Sequence, residues 1–328
     1  MKRILLMVLV LGTIHVTNAQ VARKIVVEHF TNTFCSVCAS RNPGFFSNLE
    51  TQKDVLQLSI HPSSPYSQCY FNRQNKAEND ARTNYHGVYG STPRLVINGV
   101  VLNSSTNYSS PAIFDAYKSQ TSDFSISVKG RYVGDSVEVE TVVKAVVNNT
   151  LGNANLFVAL VNARVNYAAG NGEQLHHNVF RKSMYSPSGL AVTLPANAGD
   201  SLVLISKVKK ETIWGTNDLF ALAILNNATN KNLIQAEQSA TISLASGLEV
   251  ISASSFKLFP NPVQDFLQFE HEQYQWQNYK VYTLQGSLAY SGKLDSQVGL
   301  TVSGLNQGIY ILELSNDQYI FRGKFIKQ

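Results

Sequence analysis

Cysteine is scarce in this chain: three residues in 328, at positions 35, 38 and 69. The remainder, beyond residue 69, has none. That excludes a disulfide-stapled scaffold, and the odd number leaves at least one thiol outside any internal pair. Charge is also scarce, with Asp, Glu, Lys and Arg making up 15% of the residues. The formal net charge of +5 includes Lys2 and Arg3 at the start of the chain. No basic stripe or cluster stands out, so nucleic-acid binding has no electrostatic footprint. Beyond the first twenty residues no apolar run is long enough to cross a bilayer as a helix. Internal repeats and long low-complexity tracts are absent.

What is present points to export and to β-structure. The chain is 44% hydrophobic, enough for real cores, and carries 15 Tyr. Lys2-Arg3, the apolar stretch Ile4 to Gly12 and the small residues before Ala19/Gln20 have the three parts of a secretory signal. Residues 1–19 are therefore expected to be a removed leader, and the mature chain is expected to have no transmembrane helix. An oxidising compartment permits disulfides.

Residues 20–122 alternate strands and helices. Lys24 to Phe30 is a β-branched run that predicts a strand. Thr31 to Phe34 is a loop, and a helical pattern starts at Cys35 with Pro43 inside it. Asp54 to Ile60 predicts a second strand, and residues 70–86 are polar and helix-tolerant. A breaker-rich turn, Gly87 to Pro93, follows. Arg94-Leu-Val-Ile97 and Val100-Val-Leu102 flank Asn98-Gly99, a strong hairpin signal. A last helix is predicted near Ser110-Pro111. Residues 123–250 change character: strands are predicted around 125–132, 136–143, 156–161, 202–206 and 219–225. Gly, Asn and Asp separate them in the spacing of a β-sandwich. Residues 251–255 look like a linker, and 256–328 form another compact β unit.

Cys35-Ser-Val-Cys38 is the chemical focus. A C-x-x-C spacing admits dithiol redox chemistry, half of a zinc site, or a structural disulfide. The pair stands where a loop meets a helix, and free N–H groups at a helix N-terminus stabilise a thiolate. A zinc site needs two more ligands, for which Cys69 and His61 are the candidates. Cys69 is otherwise a lone thiol in a loop or at a helix start. His176-His177 reads as strand or loop structure.

Val26-Val-Glu-His-Phe-Thr-Asn-Thr-Phe-Cys-Ser-Val-Cys38, Pro43 and Tyr85-His-Gly-Val-Tyr-Gly-Ser-Thr-Pro-Arg-Leu-Val-Ile-Asn-Gly99 together resemble the thioredoxin fold. The resemblance implies a cis-proline, Pro93, packed against the cysteine pair. It implies an exposed Cys35 as nucleophile and Cys38 as the thiol that resolves the mixed disulfide. Glu28 and His29 are candidates for the buried proton carrier beneath such sites. Phe34 stands where thioredoxins usually carry Trp, and Ser36-Val37 supplies no cation, so the motif does not assign a redox direction.

Two further resemblances cover the rest. Phe256-Lys-Leu-Phe-Pro-Asn-Pro-Val263, Val281-Tyr-Thr-Leu-Gln-Gly286, Leu305-Asn-Gln-Gly-Ile-Tyr-Ile-Leu312 and Lys324-Phe-Ile-Lys327 resemble the C-terminal sorting domain of the type IX secretion system of Bacteroidetes-type bacteria. That implies passage through the outer membrane by the type IX machinery. Glu28 to Cys38, Gly172 to Arg181 and Leu219 to Ala236 resemble the Omp twenty-eight-related outer-membrane proteins. The expected architecture is multidomain. An α/β thioredoxin-like N-terminal domain (20–122) precedes a β-sandwich (123–250), then a linker and small C-terminal β-sandwich sorting domain (251–328). The expected function is an exported thiol–disulfide oxidoreductase acting on protein disulfides or dithiols, with no cofactor and no metal. The alternatives are a surface binding or adhesion protein with a structural disulfide, and a metal carrier.

Overall fold

The computed structural model describes residues 20–215, 218–242, 249–251, 256–269, 275–294, 299–316 and 319–328. The expected leader, 1–19, and most of the expected linker lie outside the described residues. The chain forms two compact units, Met1–Ser243 and Leu244–Gln328.

The first unit begins with β1 (Val21–Ala22), β2 (Ile25–Phe30), α1 (Ser36–Glu50) and β3 (Val55–Ile60). Two short helices follow, α2 (Tyr70–Gln74) and α3 (Lys76–Tyr85), then the hairpin β4 (Arg94–Ile97) and β5 (Val100–Val101). The helix expected after Ser110-Pro111 is a 3-10 helix, Pro111–Tyr117, with Pro at its start. Next come β6 (Thr121–Ser122), β7 (Phe124–Val133), β8 (Ser136–Ala145), β9 (Asn153–Asn166) and β10 (Leu175–Ser183). β11 (Leu190–Thr193), β12 (Ser201–Lys209), β13 (Leu219–Asn227) and β14 (Leu233–Gln238) complete it.

The main sheet has the order β14-β13-β9-β10-β3-β2-β4-β5, with β11 paired to β9. β2 and β3 are parallel, joined by the crossover helix α1, while β4 runs antiparallel to β2. The sheet crosses the sequence boundary expected near residue 122. β10 pairs in parallel with β3 through Val179 and Ser59, so 20–122 and the strands after it share one sheet.

Hydrophobic pattern explains the layers. β9 reads Asn-Ala-Asn-Leu-Phe-Val-Ala-Leu-Val, an apolar run rather than an alternation, as a strand buried on both faces must. Leu156, Val158 and Leu160 join a core with Phe124, Val137, Val139 and Val143, a sandwich against the sheet β12-β8-β7. Phe157, Ala159 and Val161 join a second core with Val26, Phe30, Leu58 and Ile60. A third core, with Val27, Phe45, Leu95 and Phe114, lies under α1. Asn98 (φ 51°) and Gly99 (φ 86°) make the expected tight hairpin. A Cβ on Gly99 would fall 2.1 Å from the Lys231 carbonyl oxygen, so the turn also needs glycine for close approach.

The second unit is all β among its described residues. β15 (Glu249–Ile251), β22 (Tyr319–Lys327), β21 (Gly308–Ser315), β18 (Asn278–Thr283) and β19 (Leu288–Lys293) form one sheet in that order. β16 (Leu258–Phe259), β17 (Phe266–Phe269) and β20 (Gly299–Thr301) form the other. Both contribute to one core around the buried Trp276, with Leu267, Val281, Leu312, Phe321 and Phe325. The Gln328 amide donates to the Val263 carbonyl at 2.9 Å, which ties the last residue into the fold.

Candidate dithiol site

Cys35 is the N-cap of α1, in an extended conformation, and Cys38 falls in the helix's first turn. The two are joined as a disulfide with Cα atoms 5.1 Å apart. The Cys38 amide donates to Cys35 Sγ at 3.0 Å. A thiolate at Cys35 would therefore receive an N–H bond and the positive end of the helix dipole. The Thr92-Pro93 peptide is cis, and the Thr92 carbonyl oxygen lies 3.4 Å from Cys35 Sγ. The Pro93 carbonyl accepts the Tyr108 hydroxyl at 3.3 Å. Three stretches far apart in sequence thus meet: 35–38, 92–93 and 108.

The loop before the pair is held by its own side chains. Asn32 Oδ1 accepts the Phe34 amide at 3.0 Å, and its Nδ2 donates to the Pro62 and Tyr66 carbonyls. Cys69 is buried and free, at the start of α2. Its sulfur accepts the Thr33 amide and hydroxyl at 3.5 and 3.4 Å. Thr33 Oγ1 in turn accepts the Tyr70 amide at 3.0 Å. Cys69 therefore braces the loop that carries Cys35.

Adjacent residues Glu28 and His29 point to opposite faces of β2. Glu28 takes Arg82 Nε and Nη2 at 2.7 Å each and His86 Nε2 at 2.8 Å, all buried. Burial pushes its carboxyl upward, but Arg82 and His86 outweigh that and hold it well below the usual range. Burial moves His86 down despite Glu28, so the neutral ring donates to the carboxylate. The Arg82 guanidinium also lies over the Phe157 ring, 3.9 Å from its centroid, on the face away from α1.

His29 faces α1. Its ring packs on Phe45 and Phe46 at centroid distances of 4.8 and 5.7 Å, and neither ring nitrogen has a hydrogen-bond partner. Burial pushes it down to about 3, with Asn42 opposing the shift and Arg41 adding to it, so the ring is neutral at physiological pH. Asn42 is its polar neighbour. Asn42 stands one helical turn after Cys38 on the same buried side of α1. Its Nδ2 donates to Thr31 Oγ1 and Glu173 Oε1 at 3.0 and 2.7 Å, while its own Oδ1 is unsatisfied.

One feature differs from what the thioredoxin resemblance implies. Cys35 is not exposed: it is 1% accessible, although Phe34 and Val37 beside it are 40% and 52% accessible. The loop between β9 and β10 packs against the backbone beside it. The Asn171 side chain donates to the Cys35 and Asn32 carbonyls at 3.0 and 3.2 Å, and its amide donates to the Thr33 carbonyl at 3.0 Å. Cys69 and His61, raised for the zinc alternative, are each engaged elsewhere. His61 and His176 stand against the Phe71 ring, each at 4.8 Å, and His176 bonds the Tyr167 carbonyl. Cys69 is engaged with Thr33. Among the described residues no three His, Cys, Asp or Glu side chains are placed to hold a metal ion.

Asn42, Asn171, Glu173 and Thr92 were not among the residues singled out from sequence. Asn42 was within reach, since it falls four residues after Cys38. Asn171 and Glu173 carry no local signal. They reach the site only because β10 joins the sheet beside β3. A separate groove of about 570 Å³ opens beside the later half of α1, lined in part by Phe46, Leu49, Gln57, Arg164, His177 and Phe220. It does not include the cysteine pair.

Comparison with known proteins gives the class of the second unit. Residues 257–328 match the family described as the Secretion system C-terminal sorting domain. The chain is therefore an exported protein of the cell surface or extracellular space, with a type IX sorting tail that implies the secretion machinery. Among the described residues no helix is long and apolar enough to cross a membrane. Among solved structures the chain is similar to HBP35 of Porphyromonas gingivalis, at 15% identity and a TM-score of 0.56. That likeness covers 93% of this chain and 98% of HBP35, and at such identity it speaks to fold alone. A domain of the outer membrane lipoprotein Omp28 from the same organism matches at 13% identity and a TM-score of 0.29, covering 38% of this chain and 92% of that domain. None of the curated proteins compared matches the chain.

Proposed function

We propose that the first unit is a thioredoxin-like thiol–disulfide exchange module, carried to the cell surface by the sorting tail. The observation that carries this reading is the seat of Cys35. Its sulfur is at a helix N-cap, receives the Cys38 amide, and lies beside the cis Thr92-Pro93 peptide. The strand order β3-β2-β4-β5 with α1 as crossover supports it. In the reduced form Cys35 is the thiolate that attacks a partner's disulfide. One partner sulfur leaves as thiolate, and Cys38 then attacks Cys35 Sγ to release the second. Cys38 must lose a proton for that second step. Neither buried candidate beneath the pair holds that proton at neutral pH: His29 takes one only near 3, and Glu28 is a carboxylate committed to Arg82 and His86, so the Cys38 proton goes to the departing partner thiolate. Pro93 forms the wall against which the partner sulfur is presented.

A Cys38→Ser variant should accumulate mixed disulfides through Cys35, read as mass adducts lost in a Cys35→Ser, Cys38→Ser double variant. A folded protein that exchanges with no dithiol or disulfide would overturn the reading.

The burial of Cys35 favours a second reading, a surface binding or adhesion protein in which the pair is an inert brace. It predicts a disulfide that resists mild reduction whatever surrounds it.

A further inference from the structure

The loop Tyr167–Gln174, between β9 and β10, packs on the 32–35 loop from a part of the chain more than 130 residues away. Four observations bear on what it does. Asn171 ties three carbonyls of the 32–35 loop through its side chain and amide. Glu173 anchors the loop: its Oε2 accepts Asn171 Nδ2 at 2.7 Å and its Oε1 accepts Asn42 Nδ2 from α1. Gly170 meets the Phe34 ring so closely that an added Cβ would fall 2.8 Å from it. At the loop's foot Tyr167 stacks on Tyr70 at 3.9 Å, nearly parallel. Yet the contact to the dithiol loop itself is a few neutral hydrogen bonds and one ring edge, and Asn171 and Glu173 are only half buried.

We propose that this loop is a latch on the Cys35–Cys38 pair, with Asn171 as its positioning residue, and that it excludes bulky thiols while admitting small ones. The inference rests on the exchange reading and adds its selectivity. Reduction requires a thiolate to approach Cys35 Sγ along the S–S axis. A new sulfur–sulfur bond forms to Cys35 while the Cys35–Cys38 bond breaks, and Cys38 departs as thiolate with the electron pair. The attacking thiol has already given its proton to solvent. A second thiol of the reductant then displaces Cys35, completing a two-electron transfer. With the latch shut Cys35 is 1% accessible, so a thiol borne on a folded protein must first displace Asn171.

The test compares the full chain with Asn171→Ala and Gly170→Ala, which release the latch by different means, one by removing its side-chain bonds and the other by crowding Phe34. Rate constants for reduction of the pair are measured with dithiothreitol and with a reduced protein dithiol, alongside the thermal midpoint. We expect both variants to react at least about ten-fold faster with the protein dithiol and less than about three-fold faster with dithiothreitol, with the fold retained. Unchanged rates in both variants, or equal acceleration by both reductants, overturn the latch. If dithiothreitol reduces every form normally and only the ratio stays fixed, the exchange reading survives without the latch. If no form is reduced by either reagent, both fall.

Discussion

The two faces of β2 treat buried polarity in opposite ways. On one, Glu28 has every oxygen engaged by Arg82 and His86, and Arg82 spends a further N–H on the Pro187 carbonyl at 3.0 Å. On the other, one residue along, His29 has two ring nitrogens with no partner and Asn42 beside it has a spare oxygen. Both residues are buried. Leaving a buried polar group unpaired costs roughly 1–3 kcal/mol, so the second face holds a cost that the first avoids. The difference yields predictions on each side.

The largest effect belongs to the saturated face. Glu28→Gln leaves Arg82 buried without its counter-charge and should cost about 3–5 kcal/mol in the first unit's urea unfolding transition. Removing both charges, as Glu28→Leu with Arg82→Met, should recover much of that loss, because no lone charge remains. If the single and double variants lose equally, the pair is not what Glu28 contributes.

Acid comes next, and here both faces contribute with the same sign. Glu28 is held below its unfolded value, so its contribution is present above the ordinary carboxylate range and fades as pH falls. His29, His61, His86, His176 and His177 are all shifted downward, each chiefly by burial. Unfolded imidazole takes a proton near 6.5 while folded His29 waits until about 3. Between those values the unfolded chain binds more protons, and stability falls with pH. Denaturation midpoints measured from pH 7 down to pH 3 should therefore drop steadily, starting near 6.5. A flat profile above pH 4.5 would show that the histidines are not buried neutral.

The smallest stability effect belongs to the unsaturated face. His29→Leu removes an unpaired polar group and should stabilise the first unit, by up to about 1–3 kcal/mol, since a desolvation cost is relieved and no hydrogen bond is lost. It should leave the release rate of a Cys35 mixed disulfide within about three-fold, because a ring protonated only near 3 is too weak a base to take the Cys38 proton. Release slowed by about 100-fold would show instead that His29 carries the proton.

The sequence made local features of this architecture readable and hid the long-range ones. β2, α1, β3 and the Asn98-Gly99 hairpin follow from β-branched runs, the onset of a helical pattern and a turn dipeptide, all signals within ten residues. The start of α2 at Cys69 was among the two settings expected for that thiol. The continuation of the sheet through Val179 and Ser59 was not legible, because a single inter-strand pair leaves no periodicity. The thioredoxin resemblance likewise implied an open Cys35, whereas it is buried. The opposed fates of Glu28 and His29 follow from strand alternation, but only once Arg82 and His86 are known to lie on one side. The sorting tail was the most legible part, since its motifs recur at the strands that build its own core.

The central claim is that Cys35 and Cys38 form an exchanging pair rather than a brace. The direct measurement is their reduction potential, by equilibration of the full chain in glutathione or dithiothreitol buffers with alkylation of the free thiols. The N-cap seat of Cys35 stabilises the thiolate and hence the reduced form. The account predicts a value within the range of exchanging dithiols, roughly −270 to −120 mV. A value below about −300 mV, that of structural disulfides, would contradict it.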